Sequence, residues 1–249
     1  MSKGWLAGDR VFALLDSGGF AEKAVARVED CYPTPAGIDF VEAAGFGVAY
    51  GSSHLGLRLA RLVEGETLLV HGAAGGVGIT AVEIGHAMGA RVIATAGGAE
   101  RLEVAREHGA DEGIDYRSES VRDRVLELTE GRGVDVVFDP VGGDVFVQSL
   151  RCVAWGARLL VVGFASGDVP QIPANHVLVK NVSVIGYTLG AYRRNAPDVV
   201  RASFAELFEW HAAGRLRPLV SNVLPLERAA EAMQLLLDRA ATGKVVLTT

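Results

Sequence analysis

Cysteine is nearly absent: Cys31 and Cys152 are the only two in 249 residues, far apart and outside any CxxC pattern. That excludes a disulfide framework and a cysteine-built zinc cluster, and it fits a reducing cytoplasm. Basic runs are missing too. Acids and bases are interspersed and the formal net charge is −6, which argues against nucleic acid or an anionic membrane as the main partner. No apolar stretch reaches the roughly 18 residues of a membrane span, and the first residues carry no signal-peptide pattern. Repeats and low-complexity linkers are also lacking. What the chain has in quantity is apolar residues, 49% of the total, enough to bury a substantial core. Its length suits one large domain, or one domain and part of another.

Residues 67–78, Thr-Leu-Leu-Val-His-Gly-Ala-Ala-Gly-Gly-Val-Gly, are the most informative stretch. An apolar run (Leu68, Leu69, Val70) enters a glycine cluster (Gly72, Gly75, Gly76, Gly78), and an apolar-periodic helix (Ile79, Val82, Ile84) leaves it. This is the strand–turn–helix opening of a dinucleotide-binding unit. Glycines there let the backbone turn tightly and approach a pyrophosphate, which then sits on the free N–H groups and positive end of the helix. Glycine clusters also make ordinary turns. The flanking strand and helix, and a second strand beginning near Arg91, favour the nucleotide reading.

In NAD-binding units an acid about 20 residues past the glycines receives the ribose hydroxyls. Here the second strand, Arg91-Val-Ile-Ala-Thr-Ala96, ends in Gly97-Gly98 with no acid at its tip. A carboxylate there would repel a 2′-phosphate; its absence leaves room for one. Arg101, in the first turn of the next helix, is placed to grip phosphate, and Tyr116 ends the third strand beside the same corner. The bland readings are a solvated helix charge for Arg101 and a packed strand end for Tyr116. Together with the missing acid they favour NADPH over NADH, with Glu100 as the opposing charge nearby.

Strand and helix patterns alternate from 67 to 188. Strands are expected at 67–71, 91–96, 113–116, 134–139, 157–163 and 182–188, and helices at 76–88, 99–109, 119–130, 144–155 and 174–180. Most strands are continuous apolar runs, as in a sheet covered on both faces. The expected fold class is therefore α/β, a doubly wound parallel sheet of Rossmann type in the order 3-2-1-4-5-6. Residues 9–28 read as two short strands around a turn at Asp16–Gly19. The tail reads as a helix (197–213), a strand (219–224), a helix (Leu226–Arg239) and a last strand (Lys244–Leu247). These edge strands cannot close a sheet alone and suggest a second domain built from both chain ends.

The chain resembles zinc-independent medium-chain dehydrogenases/reductases of the quinone oxidoreductase (zeta-crystallin-like) family. The resemblance is carried in order by Gly8-Asp-Arg-Val-Phe-Ala, Gly45-Phe-Gly-Val-Ala-Tyr-Gly-Ser-Ser, His71-Gly-Ala-Ala-Gly-Gly-Val-Gly, Gly109-Ala-Asp-Glu-Gly-Ile-Asp-Tyr, Phe138-Asp-Pro-Val-Gly-Gly and Thr242-Gly-Lys-Val-Val-Leu. Ala73 stands where alcohol dehydrogenases have the first fingerprint glycine, as is typical of the quinone reductase branch. Zinc-dependent relatives carry a four-cysteine lobe after the Gly-Asp-Arg-Val strand and a ligand cysteine around 44–54. Neither is present, so no metal site is expected, and His54, His71 and His86 read as interior or helix-surface histidines. Family members also carry most of a GroES-like catalytic domain before Gly-Asp-Arg-Val, whereas this sequence begins Met1-Ser-Lys-Gly-Trp. The expected organisation is a partial GroES-like domain over 1–50, an NADP-binding domain over 51–192, and a return to the catalytic domain over 193–249.

The resemblance implies a cofactor site. Ala74, Gly75, Gly76 and Val77 would hold the pyrophosphate; Gly97, Arg101 and Tyr116 would line the adenosine ribose and 2′-phosphate. Val141 and Gly142 would lie at the strand C-termini. Val162, Gly163, Phe164 and Ala165, with Thr188, Leu189 and Gly190, would flank the nicotinamide. Ser52 would bond near the nicotinamide ribose, and Lys244 would reach in from the last strand. The mundane alternatives are turn glycines at 142 and 163, a helix cap at Ser52 and a solvated edge charge at Lys244. The implied activity is NADPH-dependent hydride transfer to a quinone or α,β-unsaturated carbonyl without zinc, with no residue nominated as proton donor. An enoyl-thioester reductase and a non-catalytic NADPH-binding protein are the alternatives. A homodimer through the charge-free edge strand 182–188 is also expected.

Overall fold

The computed structural model describes residues 4–35 and 37–249. Two short strands, β1 (Val11–Ala13) and β2 (Cys31–Pro33), pair antiparallel with Phe12 opposite Tyr32. The expected second strand within 19–28 does not form. Phe20 and Val25 of that segment are 67% and 97% exposed, so pairing there would bury little. The register through Cys31–Pro33 instead stacks Phe12 on Tyr32, ring centroids 5.3 Å apart, and sets both against Phe204. Aromatic burial selects the partner.

A helix absent from the sequence reading follows: α1, Phe40–Leu59, capped by the Asp39 carboxylate accepting from the Glu42 N–H at 2.8 Å. Its glycines are poor helix formers, each costing about 1 kcal/mol relative to alanine. Packing explains them. A Cβ on Gly56 would lie 2.2 Å from the Tyr187 Oη, and one on Gly51 would lie 2.9 Å from the Phe204 ring. Much of α1 is buried, including Phe46, Tyr50, His54 and Leu57. It therefore lacks the one-sided apolar stripe that marks a surface helix.

Next come β3 (Thr67–Val70), α2 (Gly76–Ala87), β4 (Arg91–Ala96), α3 (Ala99–Glu107), β5 (Glu112–Asp115), α4 (Val121–Leu128), β6 (Val134–Asp139), α5 (Gly143–Ser149), β7 (Val153–Val161), α6 (Ala174–Lys180) and β8 (Ser183–Gly186). The six strands from β3 to β8 form one parallel sheet in the order β5-β4-β3-β6-β7-β8. This is the expected 3-2-1-4-5-6. Every residue of β3 is buried, and Leu68 and Leu69 face separate cores on the two sides of the sheet. The helix expected at 144–155 ends early, because Val153 pairs with Val134 and begins a nine-residue strand. The last strand is shorter than expected. Residues after Gly186 turn into α7 (Leu189–Asn195), whose first turn is capped by the Thr188 hydroxyl accepting from the Ala191 N–H.

The tail continues through α8 (Pro197–Ala212), β9 (Val220–Pro225), α9 (Ala229–Leu237) and β10 (Lys244–Thr248). β9 and β10 pair in parallel, and both pack on α1. Arg193 on α7 ties the N-terminal strands to this side, its guanidinium donating to Asp30 at 2.9 Å. β1 from one end of the described chain and β9 and β10 from the other thus all pack on α1.

Candidate functional site

In an open doubly wound sheet, the strands flanking the change of direction leave a crevice at their C-terminal ends. Here those strands are β3 and β6. A cleft of about 520 Å³ opens there, lined among others by Ala74, Gly75, Gly76, Val77, Gly97, Arg101, Tyr116, Val141 and Ala165. These positions were all singled out in the sequence. The α2 N-terminus has Gly75 at its cap position and carries no side-chain cap, so no side chain competes with an anion for its first turn.

His71 forms part of the floor. Its Nδ1 lies 3.0 Å from Thr95 Oγ1 and its Nε2 2.8 Å from Ser149 Oγ. Ser149 spends its only proton on the Val145 carbonyl, so it accepts from His71 Nε2–H, and Nδ1 accepts from Thr95. Full burial pushes the imidazole pKa down, which keeps the ring neutral. Asp139 shapes the opposite wall: its Oδ1 accepts from the Val141 and Gly142 N–H groups at 2.7 and 3.0 Å. The loop after β7 is laced to the same wall, Ala165 N–H donating to the Pro140 carbonyl and Ser166 N–H to that of Val141, each at 3.0 Å.

The other positions fall in two groups. Gly142, Val162, Gly163 and Phe164 belong to these two laced loops at the rim; a Cβ on Gly142 would lie 2.9 Å from the Phe164 ring, and one on Gly163 would lie 3.4 Å from the Pro140 carbonyl. Ser52, Thr188, Leu189 and Gly190 lie outside the cleft lining, as do Gly142, Val162, Gly163, Phe164 and Lys244. Ser52 sits within α1, not at its cap, and its carbonyl accepts from the Tyr187 hydroxyl at 2.8 Å. Thr188 is occupied as the α7 cap and Leu189 is buried.

Lys244 reaches across the α2 N-terminus. A Cβ on Gly76 would meet its Cδ at 2.9 Å and its Nζ at 3.8 Å. Burial pulls its ammonium below the ordinary lysine value, and among the described residues no carboxylate pairs with it. A cation held at the positive end of a helix is destabilising unless an anion joins it. This arrangement calls for an anion.

The sequence reading named Lys244 in the tail but missed the residues near it that line the cleft. Leu236, Arg239, Ala241 and Gly243 line the cleft, and the Gly243 N–H donates to the Ala74 carbonyl at 2.9 Å. The one sequence signal was the Thr242-Gly-Lys turn beside a lone arginine. A second cleft, about 570 Å³, lies at the other end of α2 around Glu83, His86, His108, Arg215 and Arg217. It gathers helix C-termini, whose carbonyls at Ala87 and Glu107 accept from Arg215 and Arg217. Buried Glu83 is already held there by Tyr50 and by His108 Nδ1 at 2.5 Å. Carbonyl ends repel anions, so a nucleotide phosphate belongs in the first cleft. Among the described residues no three His, Cys, Asp or Glu side chains converge to hold a metal ion.

Comparison with known proteins identifies the family. A family model described as zinc-binding dehydrogenase matches residues 76–209. The chain is 41% identical over 246 residues to the quinone oxidoreductase-like protein 2 homolog of Nematostella vectensis, covering 97% of this chain and 67% of that protein. It is 39% identical to the quinone oxidoreductase of Pseudomonas aeruginosa, covering 96% of this chain and 74% of that one. Among solved structures, Escherichia coli quinone oxidoreductase complexed with NADPH superposes with a TM-score of 0.92 at 30% identity, over 99% of this chain and 77% of that one. Pseudomonas syringae quinone oxidoreductase does so with a TM-score of 0.90 at 34% identity, over 98% and 76%. The chain belongs to the quinone oxidoreductase family of medium-chain dehydrogenases/reductases.

Proposed function

We propose that this chain binds NADPH in the cleft between β3 and β6 and serves hydride transfer to a quinone or α,β-unsaturated carbonyl, without zinc. The observation that carries the reading is the charge arrangement: Lys244 without a carboxylate at the α2 N-terminus, and Arg101 and Tyr116 at a corner with no acid on the β4 tip. When bound, the cofactor supplies the hydride. Gly75, Gly76 and the first amides of α2 would receive the pyrophosphate, with Lys244 neutralising it. Arg101 would receive the 2′-phosphate. Val141 and Ala165, with the rim residues Gly142, Val162, Gly163 and Phe164, would wall the ring end of the cleft and exclude water. Ser52, Thr188, Leu189 and Gly190 would contribute only by supporting that wall from α1 and α7.

The same reading takes 51–192 as the NADP-binding domain, with 1–50 and 193–249 as parts of a GroES-like one. It also includes a cytoplasmic setting, which the two free thiols Cys31 and Cys152 suit, and a homodimer through β8. That strand is a sheet edge of Ser, Val, Ile and Gly with no charge to discourage pairing. Leu178 and Val179, just before it on α6, are 81% and 76% exposed.

Fluorescence titration with NADPH and NADH at one ionic strength, followed by turnover with a quinone acceptor before and after treatment with a strong chelator, tests the reading. NADPH should bind tighter, and any turnover should survive the chelator. Equal affinities, or chelator-sensitive turnover with stoichiometric zinc, would overturn it.

A further inference from the structure

Gly97 raises a question that its backbone does not answer. Gly98 has φ +97°, a conformation that favours glycine, but Gly97 is not in the left-handed region. Its lack of a side chain is explained by what lies over it. A Cβ there would sit 2.7 Å from Arg117 Nε and 2.8 Å from Tyr116 Oη. Two side chains from the end of β5 therefore fold across the tip of β4, and the Arg117 fork extends over Gly98, its Nη1 3.5 Å from that residue's Cβ position.

The acid of this corner is Asp115, in register with Ala96 at the ends of the two strands. Its Oδ1 accepts from the Gly98 N–H and the Arg117 N–H, each at 3.0 Å. Those two amides hold its carboxyl below the ordinary range. An aspartate so engaged has one carboxylate oxygen bound to backbone. It fixes where the chain leaves β5 and hence where Arg117 starts. Among the described residues Arg117 makes no ion pair, although Asp115 and Glu119 are its acidic neighbours.

We infer that Arg117 is a specificity-determining residue for the 2′-phosphate, set in place by the Asp115 clamp across Gly97-Gly98. This rests on the NADPH reading above and adds to it. Arg101, from the first turn of α3, lines the cleft with Gly97, and Arg117, two residues past β5, lies over Gly97 just outside that lining. Two planar guanidinium groups there give a phosphate more than one fork of donors, which a ribose 2′-hydroxyl cannot use. Asp115 acts only through Arg117 and is a positioning residue.

The test uses the full chain and four probes: NADPH, NADH, 2′,5′-ADP and 5′-AMP, titrated at one low ionic strength. Arg117→Gln should weaken NADPH and 2′,5′-ADP by about tenfold or more while leaving NADH and 5′-AMP unchanged. Arg117→Lys, which keeps the charge and loses the fork, should fall between. Asp115→Ala should lower the NADPH/NADH affinity ratio, and Asp115→Asn, whose amide oxygen still accepts both N–H groups, should restore it. A wild-type protein without NADPH preference would sink the cofactor reading itself. A wild-type preference lost in Arg101→Ala but untouched in Arg117→Gln would overturn this inference alone. Equal losses for phosphorylated and unphosphorylated probes would reduce Arg117 to a structural role, and equal losses in Asp115→Ala would do the same for the clamp.

Discussion

Gly75, at the α2 cap, and Gly78, in the first turn of α2, stand three residues apart and should fail in different ways when given a methyl group. At Gly78 a Cβ would lie 2.1 Å from the Gly72 carbonyl oxygen, 2.7 Å from its carbon and 2.9 Å from the Ala73 Cα. All three are backbone atoms, so no rotamer relieves the overlap. Either α2 must move off β3 or the loop must open. Gly78→Ala should cost at least about 3 kcal/mol of folding stability. At Gly75 the only close atom is the Gly72 carbonyl oxygen, at 3.3 Å, and the backbone (φ −83°, ψ 170°) is one that alanine adopts freely. The entropic benefit of Gly→Ala at a compatible site, about 0.4–1 kcal/mol, offsets that mild contact. Gly75→Ala should leave stability within about 1 kcal/mol of wild type. Its methyl would nevertheless occupy the surface where a pyrophosphate meets the α2 amides. Losing one charge-assisted contact of about 1.5–3 kcal/mol weakens binding roughly 10- to 100-fold. Urea denaturation and nucleotide fluorescence titration on both variants separate the two effects. A Gly75→Ala protein that binds NADPH as wild type does, or a Gly78→Ala protein of wild-type stability, would refute the assignment.

Arg101→Ala should weaken NADPH by about 1–3 kcal/mol and leave NADH nearly unchanged; an equal loss for both in the same titration would give Arg101 a structural role. Lys244→Met should weaken both cofactors alike, since the pyrophosphate is common to them, and a loss confined to NADPH would contradict the placement of its Nζ beside Gly76. Val184→Lys in β8 should convert a dimer to monomers in sedimentation velocity, whereas a wild-type monomer would dispose of edge pairing. His54 is 1% exposed, with Nδ1 2.7 Å from Ser203 Oγ and Nε2 3.3 Å from Glu206 without an aligned hydrogen bond. Burial lowers its pKa from 6.5 to about 4. The unfolded chain therefore takes up a proton that the folded one refuses, so stability is full above pH 6.5 and declines as the pH falls toward 4, by up to about 3 kcal/mol. Thermal melts across that range should show the decline, and His54→Gln should flatten it; an unchanged slope in the variant would assign the decline elsewhere.

What the sequence made legible follows from how far apart the deciding contacts lie. β4 and β6 could be read from their own residues, because the middle of a strand covered on both faces is a continuous apolar run. The glycine loop announced itself because its turn, its helix and its anion site are built within a dozen residues. α1 escaped notice for the opposite reason. Gly51 and Gly56 are explained only by Phe204 and Tyr187, residues distant in the chain, and burial around the helix erased its periodicity. β2 was misplaced on similar grounds, since the choice between 19–28 and Cys31–Pro33 turns on an aromatic cluster completed by α8. The site divides the same way. Arg101 and Tyr116 could be placed because each follows a legible strand. Arg239 and Gly243 could not, because they reach the cleft through the tail's hydrogen bond to Ala74, a partner that the local Thr242-Gly-Lys signal does not name. Ser52 and Thr188 to Gly190 show another limit of resemblance: it assigns them to the cofactor, while the fold sets Ser52 inside α1 and uses the Thr188 hydroxyl to cap α7. Local chemistry was thus recoverable where one element both made and used a contact. Where two distant elements share it, no single stretch of sequence carries it.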